Sequence, residues 1–174
     1  MYLLLAISAL VLLLLVQAVR GRSAQVKDPH AAGELIIPVD LEAFRNLIDA
    51  QQDRFLREHL DGRDYRRVQR ARALATAEYL RHVAHNAGII LRVGEFARSS
   101  REASVAALGA ELVSNAIRLR LFSLVALAQA YLSVVLPGLS LSAGGVADRY
   151  DMLTAKLWAV GRSWTPTPGA SAAS

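Results

Sequence analysis

The sequence contains no cysteine, few aromatic residues and very little lysine. The absence of cysteine excludes disulfide bonds, thiolate metal sites and cysteine nucleophiles. Aromatic residues make up 6% of the 174 residues and hydrophobic residues 53%, so leucine, valine and alanine supply most of the apolar mass. Leucine and alanine favour helices, and tyrosine, phenylalanine, tryptophan and threonine, which favour strands, are sparse. The composition therefore predicts an all-α protein.

Recognisable catalytic motifs are also missing from the sequence. It has no glycine-rich phosphate loop, no G-x-S-x-G element and no dinucleotide-binding fingerprint, and no nucleophile stands at a familiar spacing from a base. No motif ties the chain to a known family. Whether the protein is an enzyme stays open, and the sequence favours a non-catalytic protein that holds no cofactor.

A long uncharged segment, residues 2–19, stands near the start of the chain. Its length is just sufficient to cross a hydrocarbon core of ~30 Å as a helix. Basic residues do not precede it but follow it, at Arg20, Arg22 and Lys27. By the positive-inside rule, residues 1–19 are predicted to be a transmembrane anchor in a bacterial inner membrane, with the bulk of the chain on the cytoplasmic side. Cleavage of this segment as a signal peptide, and the opposite orientation, stay open.

The remainder of the chain predicts a helical bundle. Residues 20–39 contain proline and glycine without sustained periodicity and are predicted to be a linker. Apolar residues at helical spacing then predict four helices, which we expect to pack as an antiparallel hairpin within a four-helix bundle. The expected helices span residues 41–60, 64–98, 101–136 and 146–162. A tail rich in proline, serine and alanine, residues 165–174, is predicted to be disordered.

Helix-capping residues support these boundaries. Asp40 stands where the N-cap of the first helix belongs, and Gly62 follows its expected end. Ser99 and Glu102 have the spacing of a capping box, which predicts that the third helix begins directly after the second. A turn this short predicts that the second and third helices are antiparallel neighbours.

The third helix contains an uncharged stretch with two interpretations. After Arg120 no charged residue occurs until Asp148, a gap of 27 residues. Residues 121–141 are apolar enough to form a second membrane span. The first, second and fourth helices are expected to converge on the same stretch, and a helix at the centre of a bundle is apolar on every side. The sequence favours the buried helix, with the second span as the alternative.

A cluster of arginines marks one face of the second helix. Their spacing of i, i+3, i+4 and i+7 suits contact with anionic lipid headgroups or with an acidic partner protein. Nucleic acid is an unlikely ligand because no aromatic stacking platform accompanies them. The favoured interpretation is that these arginines pair with acidic residues of the first helix. The arginines are Arg63, Arg66, Arg67 and Arg70, and the acidic residues are Asp40, Glu42, Asp49, Asp53, Glu58 and Asp61.

Two further groups of residues are weaker candidates. Glu78, His82 and His85 could share a helix face and supply metal ligands, although their spacing matches neither H-E-x-x-H nor the Glu-x-x-His pair of di-iron bundles. Trp158 and Trp164, with basic neighbours, could contact lipid or a partner. Packing of the fourth helix on the bundle explains the same spacing.

Together these features predict a membrane-anchored helical interaction or scaffold protein, a non-catalytic subunit of a membrane-associated complex. Its expected contacts are membrane lipid through residues 2–19 and a protein partner or a second copy through its helix faces. Two alternatives are a small membrane-bound metal-binding protein or enzyme, and a peripheral module that binds anionic lipid.

Overall fold

The computed structural model describes residues 32–135 and 144–164. The predicted anchor, most of the predicted linker and the predicted tail lie outside these residues. Within them every regular element is helical and no strand occurs, which confirms the all-α class. The helices are α1 (Ala32–Leu35), α2 (Leu41–Leu47), α3 (Ala50–His59), α4 (Gly62–Arg98), α5 (Ala103–Val135) and α6 (Gly144–Trp164).

The expected first helix, residues 41–60, is divided into α2 and α3. Asp49 breaks it, because its side chain accepts a hydrogen bond of 2.7 Å from the backbone nitrogen of Gln51 and so caps the start of α3. The carbonyl groups at the end of α2 are also satisfied. Arg72 of α4 donates to the Leu47 carbonyl over 2.9 Å and, over longer distances, to those of two neighbouring residues. Both helix ends have partners, so the break is stabilised.

The turn between α4 and α5 differs from the predicted capping box. Ser99 closes α4, because its hydroxyl donates to the Phe96 carbonyl over 2.7 Å. The next residue, Ser100, accepts a hydrogen bond of 3.2 Å from the backbone nitrogen of Glu102. The predicted pairing of Ser99 with Glu102 is therefore wrong. The Ser99 hydroxyl, which we assigned to the start of α5, instead donates to a carbonyl at the end of α4, where the last carbonyls of a helix lack intrahelical partners.

Close backbone contact joins α4 and α5 just before and after this turn. A Cβ atom built on Gly109 would lie 2.4 Å from the Arg98 nitrogen and 2.7 Å from the Ala97 carbonyl carbon. One built on Gly94 would lie 3.1 Å from the Gly109 carbonyl oxygen. The two helices, of 37 and 33 residues, then pack along each other. Helix α6 packs mainly on α5, and α2 packs on α4 and α6.

The other described helices enclose α5 only in part, and the interpretation of its uncharged stretch as a buried helix stays a prediction. The expected first helix does not cover α5, because α2 packs on α4 and α6 instead. Among the described residues one segment, Ala103–Val134, is long and apolar enough to cross a membrane, and 33% of its most apolar window is buried. The end of the alternative second span, residues 136–141, lies outside the described residues. The residues that the structure describes leave an apolar face of α5 uncovered.

A buried hydroxyl in α4 gives a prediction about stability. Thr76 is fully buried, and its Oγ1 has no hydrogen-bond partner among the described residues. An unpaired buried hydroxyl costs about 1 kcal/mol or more. We expect Thr76→Val to raise the free energy of unfolding by about 1 kcal/mol, measured by chemical denaturation of the full chain. Thr154→Val is the matched control, since the Thr154 hydroxyl donates to the Tyr150 and Asp151 carbonyls. An equal gain in both variants would contradict the assignment.

Candidate functional site

The most prominent surface feature is a row of apolar side chains on the outer face of α5. Ile117, Leu121, Val125 and Tyr131 are exposed by 51%, 47%, 43% and 39%. The first three are spaced by four residues and therefore stand one above the other on the helix. The opposite side of α5 is buried, with Leu112, Leu119 and Ala126 in the core. We call the four exposed residues the outer apolar face.

The four predicted contact arginines lie together at the start of α4. Arg63, Arg66, Arg67 and Arg70 are all exposed and, with Asp61 and Asp64, line a shallow surface pocket of about 700 Å³. None of the four forms an ion pair with another described residue. The expected pairing with the acidic residues of the first helix is therefore wrong. These four arginines are the arginine face.

The acidic residues expected to pair with these arginines have other partners. The side chains of Asp40, Asp49 and Asp61 accept backbone N–H groups at the starts of α2, α3 and α4. Asp53 accepts a hydrogen bond of 3.1 Å from the Tyr65 hydroxyl and another from Gln69. Four of the six carboxylates therefore have partners in N-caps or in this hydrogen-bond network. An N-cap carboxylate accepts backbone N–H groups and does not require a cation.

Tyr65 also accepts hydrogen bonds from Arg57 of α3, over 3.2 and 3.3 Å. These bonds raise the pKa of Arg57. Arg72 is close to the arginine face in the sequence, but its side chain extends from α4 to the end of α2. The side of α4 that meets α2 and α3 is thus distinct from the side that carries the arginine face.

The predicted metal-ligand group is not assembled. The Glu78 carboxylate lies 3.0 Å from the Arg81 guanidinium and 3.2 Å from Nε2 of His82. His85 is exposed and does not complete the set. No group of three or more histidine or acidic side chains in residues 32–135 and 144–157 is placed to hold a metal ion. The arginine at i+3 takes the carboxylate that the metal hypothesis requires.

An important residue that the sequence analysis missed is Asn86, which is fully buried in α4. Its Oδ1 accepts a hydrogen bond of 2.9 Å from the Ile37 nitrogen, and its Nδ2 donates to the Ile37 carbonyl and the Tyr150 hydroxyl, each over 2.7 Å. One side chain thereby links the extended segment before α2, the middle of α4 and the start of α6. The available signal was an amide within an otherwise apolar helix face.

Among the aromatic and basic residues of α6 whose side chains the structure describes, Tyr150 is buried, whereas Arg149 is exposed. Burial raises the pKa of Tyr150, and its hydrogen bond with Asn86 partly opposes that shift. The Arg149 guanidinium lies 3.7 Å from the centre of the Phe122 ring. Trp158 and Trp164 belong to α6, but their side chains lie outside the described part of the structure. Their predicted contact with lipid or a partner stays a prediction.

Comparison with known proteins identifies no matching family model, no similar curated protein and no similar solved structure. The function must therefore be argued from the surfaces of the described helices.

Proposed function

We propose that this protein is a membrane-anchored helical interaction protein, a non-catalytic subunit of a membrane-associated complex. In this proposal the outer apolar face of α5 contacts an apolar helix of another subunit. The observation that carries it is the row of Ile117, Leu121 and Val125, each exposed by more than 40%. Side chains spaced by four residues form the ridge that enters the groove of a neighbouring helix. Contiguous exposed apolar side chains mark interaction sites in folded proteins.

The charges on α4 favour a protein partner over lipid for this face. The contact of Gly94 with Gly109 fixes the register of the two helices. At 1.5 Å per residue in each helix, positions 121–125 of α5 then lie level with roughly positions 78–82 of α4. There α4 carries the exposed Glu78 and Arg81. Placing this part of α5 in hydrocarbon would carry those charges into the membrane with it, at a cost of several kcal/mol.

The anchor and the helical part have complementary roles in this proposal. Residues 1–19 hold the chain in a bacterial inner membrane, and the basic residues that follow keep the helices on the cytoplasmic side. Confinement to the membrane raises the effective concentration of the outer apolar face toward other membrane-bound subunits. A moderate contact area can therefore be sufficient for assembly.

A charge on the outer apolar face tests the proposal. We expect Leu121→Asp to weaken association by about thirtyfold, because an unpaired carboxylate would be buried against the partner helix. The measurement is the mass of the complex that the full chain forms in native membranes, extracted in mild detergent and determined by light scattering. Gln52→Asp adds the same charge on α3, where Gln52 is exposed, and should leave the mass unchanged. An unchanged complex in Leu121→Asp would contradict the proposal.

Removal of residues 1–19 tests the tether in the same preparation. We expect the shortened chain to move from the membrane fraction to the soluble fraction and to keep its helical circular dichroism spectrum. Retention in the membrane after alkaline extraction would instead indicate that α5 is itself a span.

A second candidate function is binding of the arginine face to anionic lipid. The observation that favours it is the absence of ion pairs to these arginines among the described residues. We expect dioctanoyl phosphatidylglycerol to raise the unfolding temperature of the full chain in neutral detergent, in a salt-sensitive way. Arg66→Gln with Arg70→Gln should remove most of that rise. The control, Arg98→Gln with Arg101→Gln, removes two exposed arginines beside the turn between α4 and α5 and should not. An equal rise with the zwitterionic choline lipid would exclude this candidate.

A further inference from the structure

A second surface pocket lies between α5 and α6 and has a volume of about 460 Å³. This lies within the range of ~300–1,000 Å³ typical of small-molecule sites. Leu119 and Leu153, at its base, are buried core residues. Leu121, Phe122 and Met152 also line it and are exposed by 47%, 43% and 61%. Most of the wall is therefore apolar and accessible to a ligand.

The polar part of this pocket is cationic. Arg118, Arg149 and Lys156 line it together with the neutral Asn115, and no acidic side chain of the described residues does so. Arg149 is held over the Phe122 ring at 3.7 Å from its centre, and Lys156 is hydrogen bonded to Glu111. Arg118 is exposed and has no ion pair with another described residue. Two guanidinium groups thus stand beside an apolar surface with their N–H donors available.

We propose that this pocket binds a single-chain amphipathic anion. Its aliphatic chain would lie along Leu121, Phe122 and Met152, and its carboxylate or phosphate head would accept hydrogen bonds from Arg118 and Arg149. A guanidinium group donates two parallel N–H bonds to either kind of head. A neutral alkyl compound would leave the cations without a counter-ion, and a chain-free anion would leave the apolar wall exposed. Guanidinium groups beside an apolar wall therefore favour a ligand that has both an anionic head and an aliphatic chain.

This inference goes beyond the proposed function and is separable from it. Leu121 borders both the pocket and the outer apolar face, so it is not a test position. Arg118, Arg149 and Met152 belong to the pocket alone. Variants at these positions report on ligand binding, while the complex mass of Leu121→Asp reports on assembly.

The test uses the full chain in nanodiscs of zwitterionic lipid and a palmitate analogue that carries a photoreactive diazirine. After irradiation, mass spectrometry maps the labelled residues. We expect adducts concentrated in residues 115–122 and 149–156. Excess laurate or dodecyl phosphate should suppress them, and the more effective of the two identifies the head group as carboxylate or phosphate. Equal suppression by dodecanol, or adducts at Val125 and Tyr131 of the outer apolar face as strong as those in the pocket, would overturn the proposal.

Substitutions assign the label to the pocket. Arg118→Gln with Arg149→Gln should reduce labelling by about tenfold or more, because the charge-assisted hydrogen bonds to the head group are lost. Met152→Trp should reduce it as well by filling the pocket, and it leaves the core intact because Met152 is largely exposed. The charge-matched control, Arg98→Gln with Arg101→Gln, removes two exposed arginines outside both the pocket and the arginine face and should label as the natural chain does. Unchanged labelling in both pocket variants would also overturn the proposal.

Discussion

Replacement of Gly109 by alanine should lower the free energy of unfolding by about 2 kcal/mol, although alanine is the better helix former. The added Cβ would lie 2.4 Å from the Arg98 nitrogen and 2.7 Å from the Ala97 carbonyl carbon. Both are backbone atoms of α4, which cannot turn aside as the end of a flexible side chain can. The required helix shift costs about 3 kcal/mol, whereas the gain in helix propensity is about 1 kcal/mol.

The measurement is thermal unfolding of the full chain in detergent, followed by circular dichroism, where this loss corresponds to roughly 4–8 °C. Two other glycines are controls of graded severity. A Cβ on Gly94 would meet its neighbours at 3.1 Å, so Gly94→Ala should have a smaller effect. Gly145 has open space, and Gly145→Ala should be neutral or stabilising. If Gly109→Ala behaved like Gly145→Ala, the close contact between α4 and α5 would be refuted.

The helical elements could be predicted from the sequence largely because their signals are local. Expected ranges for the three long helices lie within two residues of α4, α5 and α6. Apolar residues at helical spacing in the second expected helix are also in the core, since Val83, Ala87 and Ile90 are buried. The break between α2 and α3 was missed because Asp49 within a helical pattern resembles a surface residue. The hydrogen bond from Arg72 to the end of α2 marks the break near Asp49, and Arg72 is distant from Asp49 in the sequence.

The environment of α5 could not be predicted because it depends on where α2 packs. Both faces of a helix that is apolar all round look the same in the sequence, so periodicity does not show which side is covered. The helix has buried residues toward α4 and α6 and exposed ones at Ile117, Leu121 and Val125. The anchor followed by a four-helix bundle stays a prediction, since residues 1–31 lie outside the described residues.

For the candidate surfaces, too, features within one helix could be predicted from the sequence, and contacts between helices could not. The grouping of Arg63, Arg66, Arg67 and Arg70 on one face follows from helical spacing, and the structure places all four on the surface. Their partners could not be inferred by counting carboxylates on the preceding helix, because capping of α2, α3 and α4 takes three of those carboxylates. The pocket between α5 and α6 requires residues about thirty positions apart, and no local pattern predicts it.

Asn86 should be the most sensitive polar position in the described part of the chain. Asn86→Leu preserves the approximate volume but removes three hydrogen bonds, leaving the Ile37 backbone and the Tyr150 hydroxyl without these partners. Each unpaired buried group costs about 1–3 kcal/mol, so we expect a loss of about 4 kcal/mol in the free energy of unfolding. Urea denaturation of the full chain measures it, and the exposed Asn46 gives the control Asn46→Leu, expected to change stability by less than about 0.5 kcal/mol.

A double-mutant cycle with Tyr150 separates this hydrogen-bond network from a simple packing defect. Tyr150→Phe alone removes one of the three bonds and should cost about 1 kcal/mol. In the Asn86→Leu background that bond is already absent, and Tyr150→Phe then removes a buried hydroxyl that has lost its partner. The second substitution should therefore be neutral or slightly stabilising, giving an interaction energy of about 1 kcal/mol or more. Additive losses would show that Asn86 and Tyr150 act independently, and that α6 is held to α4 by apolar contacts alone.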